Sequence, residues 1–532
     1  MVKKYSNICI VGGGTAGWLC AAFLKKHTDS KVTLIESDKV PVIGVGESVP
    51  PHVMEFIKRL DIDIFEFLRE TGAVIKYSNC FRNWNKLDDE YHFGFTQTLK
   101  ESSFLNGATQ SAQRSSDFTQ QWDEPRLIDY YSEFVRNGVY TPDDFVDRFC
   151  ESYYYTKNNK STFYSYHNKG KDIWYNRLPE FSTYAFHVDA EKTGKWISKK
   201  FKVDNHILDH VTDVIINNGH VTELKTASGN SIEADLFVDC SGLSRILISK
   251  LGTWKNFDLA PCRQSWVAPY AYKDANKECV NYTQSTARDN GWTFEISLYN
   301  RMGSGYVFSD KFITKEQALE EFLSYIPQDR LLAEPRYFEW TPGTYEKTFI
   351  NNVCAIGLAG GFIEPLEANN LYFVVSGILE LAQVVNGIDS VDYYNEVYDY
   401  SINDCYEFIH THYNLTNRDD TEFWRWQNSV GKEHNTQDIV FKRINQIHNN
   451  YKDAINGFTE FPEYMWYKLG IYFGLDVMQH TKKIKPSLMN VAFLHFESVK
   501  ARGEAGAKVS QNYRSWLDQV NKEYERNDNE SR

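Results

Sequence analysis

The 532-residue chain has no C-x-x-C pair, no metal-ligand spacing and no surplus of positive charge. It also has no run of the ~18 apolar residues that a membrane-spanning helix needs. Each absence removes a class of function. The nine cysteines (Cys9, Cys20, Cys80, Cys150, Cys240, Cys262, Cys279, Cys354 and Cys405) are scattered. That argues against a disulfide framework or a metal centre and predicts a reducing, cytoplasmic setting. Fifty-eight basic against 71 acidic residues leave a net charge of −13, a poor match to a nucleic-acid backbone. No membrane association is expected. Met1-Val2-Lys3-Lys4 passes straight into a strand-like pattern and leaves no room for a signal peptide. Internal repeats and low-complexity tracts are missing too. Aromatics are plentiful: 34 Tyr, 34 Phe and 13 Trp, enough to fill a large core or to wall a pocket for a planar ligand.

The N-terminal pattern alternates strand, helix, strand. Asn7-Ile8-Cys9-Ile10-Val11 is a short apolar run; glycines follow, then a helical stretch through Trp18–Leu24, then Val32-Thr33-Leu34-Ile35-Glu36. Similar buried-strand runs end at Gly242 and Gly357. Alternation on either side of Asn217-Asn218-Gly219 predicts a hairpin. Between about 85 and 185 no clear period emerges, and the polar run from Thr109 to Asp123 suggests long surface loops. After about 370 the pattern is helical almost to the end. The expected architecture is α/β: a doubly wound core with an additional β-sheet over 1–395, a loop-rich insertion at about 85–185, and a mostly helical region over 396–532.

Gly12-Gly13-Gly14-Thr15-Ala16-Gly17 satisfies G-x-G-x-x-G after a strand and at the start of a helix. Gly12 allows the tight turn, Gly14 lets a pyrophosphate approach the backbone, and Gly17 permits close helix–strand packing. Glu36 ends the second strand, where an acid accepts ribose hydroxyls. This pattern predicts dinucleotide binding.

Several further segments carry a resemblance. Gly14-Thr15-Ala16-Gly17-Trp18, Gly44-Val45-Gly46-Glu47-Ser48-Val49-Pro50, Ala234–Gly242 and Ala355–Glu367 are similar to motifs of the flavin-dependent halogenases, the group that includes tryptophan halogenases. His412-Tyr413, Arg418-Asp419-Asp420 and Phe423-Trp424 continue the likeness, which spans roughly residues 5 to 470. The resemblance implies FAD, arriving as FADH2 from a separate reductase. It implies flavin contacts from Gly12, Gly14, Thr15, Ala16, Gly17, Glu36, Gly46, Glu47, Ser48, Val211, Asp239, Gly357, Leu358 and Leu371. It makes Lys76, in Gly72-Ala73-Val74-Ile75-Lys76, the residue that holds hypohalous acid or becomes a haloamine. Glu367, the last carboxylate of the EPLE segment, is implied as its general base, with Glu364 capping a helix that starts near Pro365. His92, Phe93 and Trp466, together with Tyr464 and Met465, are implied around an electron-rich aromatic substrate.

Two segments depart from the family pattern. Where it reads Ser-Thr-Gly and holds chloride on backbone N–H groups, this chain has Ala368-Asn369-Asn370. Asn369 and Asn370 are therefore expected to form a reshaped halide site that favours bromide or iodide over chloride. The family's W-x-W-x-I-P is reduced to Trp292-Thr293-Phe294-Glu295-Ile296-Ser297. The expected function is a two-component halogenase with halide and arene as partners and no metal. The competing readings are a single-component NAD(P)H aromatic hydroxylase and a degenerate, non-catalytic flavin-binding homologue; a homo-oligomer is left open.

Overall fold

The computed structural model describes residues 5–39, 46–95, 127–168, 171–178, 183–449, 461, 463–480 and 484–530. The polar run 109–123 lies outside them. The chain divides into two compact units. One comprises 1–74, 185–271 and 298–406, the other 75–184, 272–297 and 407–532. Each is therefore assembled from three chain segments, and the division does not follow the expected boundary at 395/396.

The first unit is built on a six-stranded sheet. Its order is Asn205–Leu208, Lys31–Glu36 (β2), Asn7–Val11 (β1), Leu236–Asp239, Val353–Ala355 and Phe349–Ile350. The first five strands run parallel and the last antiparallel. Parallel strands are covered on both faces, which is why β1 and Leu236–Asp239 read as unbroken apolar runs. Helix α1 (Thr15–His27) follows β1 directly and closes the βαβ unit; Lys25, Lys26 and His27 occupy its last turn, where cations suit the helix dipole. Val211–Asn217 and His220–Thr226 form the expected hairpin, with Asn218 and Gly219 both at positive φ. Gln264–Tyr270 pairs antiparallel with Met302–Phe308 and Arg336–Glu339, supplying the additional sheet.

Among the described residues, only Leu366–Val385 is long and apolar enough to cross a membrane. Since 72% of that stretch is buried inside the protein, it is a core helix.

In the second unit Ser78–Arg82 pairs antiparallel with Glu90–Gly94 and parallel with Tyr282–Arg288, which in turn pairs with Gly291–Ser297. The stretch expected to be irregular carries helices at Leu127–Arg136, Phe145–Phe149 and Glu151–Lys157, and a hairpin of Phe163–Asn168 with Lys171–Asn176. These helices bury tyrosines as well as phenylalanines (Tyr130, Tyr131, Tyr154, Tyr155). Counting tyrosine as polar blurs the 3.6-residue period that would have revealed them.

Trp292 packs beside Trp84, and Trp84 beside Tyr413 and Trp424. Arg418 grips Asp420 through two N–H···O bonds of 2.8 and 2.7 Å and lies over Trp424. These motif residues hold the unit's core together.

Candidate functional site

The glycine turn of the first unit separates packing from binding. A Cβ at Gly12, which sits at φ 115°, would strike the Cys240 carbonyl, and one at Gly17 would strike the Gly12 carbonyl. Both glycines bring backbone against backbone. At Gly14 an added Cβ would meet no protein atom within 4 Å. The head of α1 therefore has room for a pyrophosphate, with helix N–H groups facing it, and the residues present fit the group. Ala16 lies against Gly357, itself at φ 65°; Leu358 follows, half-buried.

The Thr15 hydroxyl donates to the Ala190 carbonyl at 3.1 Å. Glu36 stands at the end of β2, with Oε1 2.7 Å from Nε2 of His206, a neighbour that the sequence did not single out. Gly46 (φ 104°) leads into the strand Glu47–Val49, which pairs with Ala185–Val188. Burial pushes the Glu47 carboxyl up to about 7, partly offset by a hydrogen bond from Asn370. Ser48 pairs with His187 in that strand register.

Three implied flavin contacts also have structural work. Asp239 is fully buried, and its carboxylate accepts from Ser241 N (3.0 Å), Ser241 Oγ (2.5 Å), Leu247 N (2.8 Å) and Ile248 N (2.9 Å). It is an internal cap for the Gly242 turn. Asp239→Ala strands the Leu247 and Ile248 N–H groups, and we expect a loss of about 3 kcal/mol in urea unfolding. Val211 belongs to the apolar core with Ile35, Val221 and Leu224. Leu371 is buried in the helix Asn369–Val385.

The EPLE segment has unusual backbone geometry. Pro365 precedes a short 3-10 turn, Leu366–Ala368, and Glu364 before it is fully buried. Glu367 (φ 64°, ψ 7°) and Ala368 (φ 59°, ψ 33°) are both left-handed. Asn369, by contrast, has ordinary helical geometry at φ −70°. Its buried amide instead donates to the Glu364 and Leu366 carbonyls at 3.2 and 3.0 Å and clamps the turn. A left-handed Cβ costs about 1–2 kcal/mol per residue. Ala368→Gly removes one such cost against the entropy of glycine, so we expect a gain of about 0.5 kcal/mol; Ala368→Val, β-branched, should lose well over ~1 kcal/mol, and thermal unfolding measures both.

In the second unit Lys76 is almost fully buried. Its ammonium donates to Asn79 Oδ1 at 2.8 Å and to Thr283 Oγ1 at 3.1 Å, and lies 5.2 Å from the centre of the Phe95 ring. Register explains the grouping. Asn79 pairs with both Phe93 and Thr283, so the three share one face of the sheet. Successive strand residues face opposite ways, and His92 pairs with Cys80. His92 is therefore on the other face from Asn79 and Phe93, and the implied pairing of His92 with Phe93 around one ligand does not hold. Phe95, Asn79 and Thr283 were missed; period-two alternation from Phe93 would have found Phe95.

Phe93 packs on Phe81, Tyr91, Phe408 and His412, and Phe408 meets Trp466 edge-on at 4.9 Å. Tyr464 turns away to share a hydrogen bond with the Cys150 thiol at 2.9 Å. Cys80, Glu90 and His92 bring three ligating atoms within 4.8 Å of one another. Arg82, however, occupies the Glu90 carboxylate at 2.6 Å, a setting that disfavours a divalent cation.

Comparison with known proteins agrees with the geometry. A family model described as "Tryptophan halogenase" matches residues 7–487. Tryptophan 6-halogenase ThaL of Streptomyces albogriseolus is 29% identical over 440 residues, covering 80% of this chain and 79% of its own. Tryptophan 7-halogenase RebH of Lentzea aerocolonigenes is 27% identical over 447 residues, 80% and 79% of the two chains. The crystal structure of a tryptophan halogenase from Shewanella frigidimarina superposes with a TM-score of 0.80 at 25% identity over 98% of both chains. A flavin-dependent halogenase from Xanthomonas campestris gives 0.78 at 24% identity, over 97% and 99%. The chain belongs to the tryptophan halogenase family, FADH2-dependent enzymes whose reduced flavin comes from a separate reductase.

Proposed function

We propose that this chain halogenates an electron-rich aromatic compound, with Lys76 holding the electrophilic halogen and Glu367 acting as base. The observation that carries the reading is the setting of Lys76: a buried ammonium held by two neutral oxygens beside an aromatic ring. Bound FADH2 supplies the two electrons that reduce oxygen and so the oxidising power that converts halide to hypohalous acid. The glycine turn, with the N–H groups at the head of α1, holds its pyrophosphate, and Glu36 its ribose. Gly46, Glu47, Ser48, Gly357 and Leu358 border the flavin.

Lys76 hydrogen-bonds hypohalous acid, or exchanges an N–H proton for halogen to give a haloamine and water. Either way an indiscriminate oxidant stays in one place. The arene displaces the halogen from oxygen or nitrogen, and Glu367 accepts the proton that the ring loses. Phe93 and Trp466 supply flat aromatic walls. The nine cysteines are all free and buried, which supports a cytoplasmic setting. A hydroxylase fed directly by NAD(P)H gives no role to Lys76.

Asn369 and Asn370 N–H groups hold the halide in this reading. Chloride is tightly hydrated and hard to oxidise, so a reshaped set of donors penalises it first. At equal concentrations we expect bromide to be used at least tenfold faster than chloride, a difference of ~1.4 kcal/mol; mass spectra of competition reactions measure the ratio, and dominant chlorinated product refutes the assignment of the asparagines. The reading as a whole is tested by supplying FADH2, oxygen and chloride, bromide or iodide with a panel of phenols and indoles. No halogenated mass shift with any combination, or steady NADPH oxidation by the chain alone, overturns it.

A further inference from the structure

Glu36 is held from two sides by the protein itself. Asn205–Leu208 stands at one end of the six-stranded sheet and runs parallel to β2, with His206 opposite Leu34 and Leu208 opposite Glu36. Residues two apart on a strand share a face. His206 therefore lies on the same face as Glu36 and one diagonal step from it. Helix α1 packs on that face, where the Trp18 ring meets the His206 ring edge-on with centres 5.1 Å apart.

The imidazole closes one side of the carboxylate. Its Nε2 lies 2.7 Å from Glu36 Oε1, and because a carboxylate only accepts, it is the Nε2 proton that is donated. Gly13 closes the other side. A Cβ there would fall 1.6 Å from Glu36 Oε2, so the carboxylate occupies the place of the missing side chain. Gly13 is the first variable position of G-x-G-x-x-G, where the fingerprint itself asks for no glycine. The His206 side chain is 44% exposed and that of Glu36 23%, so their ion pair adds little to stability. Its effect is on orientation: a carboxylate already fixed in place loses less side-chain freedom when it binds.

We propose that His206, with Gly13 as its backstop, is a positioning residue for the cofactor: it fixes the Glu36 carboxylate for the adenosine ribose of FAD. The proposal rests on the reading of Glu36 as the ribose acceptor. Reduced flavin reaches this family from a separate reductase, so the chain must capture it from solution. The holder consists of protein groups alone and is in place when the flavin arrives.

Calorimetric titration of FAD into the full-length chain tests it in the wild type, His206→Ala, His206→Gln, Glu36→Ala and the His206→Ala, Glu36→Ala double variant. His206→Ala should weaken FAD binding about fivefold, the scale of one hydrogen bond. His206→Gln, whose amide can donate to the same oxygen, should stay within about twofold of the wild type. In the Glu36→Ala background the loss of His206 should cost nothing further, because a holder acts only through the group it holds. Wild-type FAD affinity in His206→Ala overturns the proposal. An equal loss with and without Glu36 overturns it too, since His206 would then act independently of the carboxylate. A Glu36→Ala chain that binds FAD as the wild type does would remove the ribose reading, and the role of His206 with it. A large loss in Glu36→Ala beside an unaffected His206→Ala would sink the holder alone.

Discussion

Lys76→Met should lose at least ~10³-fold in halogenated product while still consuming FADH2 and oxygen. That loss corresponds to about 4 kcal/mol in the barrier for transfer. In the proposed mechanism the two processes separate, because the lysine is needed only after the flavin reaction. Methionine suits the test because it keeps most of the volume and removes only the charge and its N–H donors. Thermal unfolding of the variant beside the wild type checks that it folds. Product measured by mass spectrometry and flavin oxidation measured by absorbance give the two readouts, with a hypohalite scavenger present to exclude reaction in free solution. Wild-type product under those conditions would remove Lys76 from the mechanism. Glu367→Gln should fall less far, by ~10²-fold, because it loses a base but keeps its hydrogen-bonding capacity.

The glycine turn predicts a sharper contrast between two neighbouring positions. Gly14→Val should weaken FAD binding by at least ~100-fold, about 2.7 kcal/mol, while leaving the flavin-free protein as stable as the wild type. Its new side chain would enter space that no protein atom occupies and that the proposed reading gives to the pyrophosphate. Gly17→Val should do the reverse. Its side chain would be driven into the Gly12 carbonyl, so we expect about 3 kcal/mol or more of destabilisation, with flavin loss only as a consequence. Calorimetry for FAD and thermal unfolding without it separate the two effects. Equal FAD affinity in Gly14→Val would contradict the placement of the pyrophosphate.

Local features of this chain are legible in its sequence. The turn at Gly12–Gly17, the acid at Glu36, the hairpin at Asn218-Gly219 and the strand leading to Gly242 each follow from a few adjacent residues whose conformational demands are strong. Pairing is less visible. His92 and Phe93 read as one unit because they are neighbours in sequence, although a pleated strand puts them on opposite faces. Lys76 stands out through its motif, but its holders Asn79 and Thr283 lie three and 207 positions away, and only the register of Tyr282–Arg288 on Ser78–Arg82 brings Thr283 to it.

The left-handed pair is invisible for a different reason. Neither glutamate nor alanine favours that geometry, and it is the Asn369 amide, reaching back to two carbonyls, that helps impose it. Asp239 has a structural role that its sequence does not announce. An acid at the end of a flavin-type strand suggests a ligand contact, yet its four hydrogen bonds are all internal.

The interleaving of the two compact units has a consequence for how the protein is made. With three segments in each, the chain passes from one unit to the other five times between its ends. The βαβ start emerges early from the ribosome, but the strand Val353–Ala355 that flanks Leu236–Asp239 follows more than a hundred residues later. Vectorial synthesis therefore leaves the edge of that parallel sheet open for many seconds, at roughly 5–20 residues per second. Contacts of such sequence separation are slow to form and expose strand edges while they wait. Recombinant yield should accordingly respond to chaperone supply and growth temperature more than to the stability of the finished enzyme, and an expression boundary placed anywhere between residues 75 and 406 would cut both units at once.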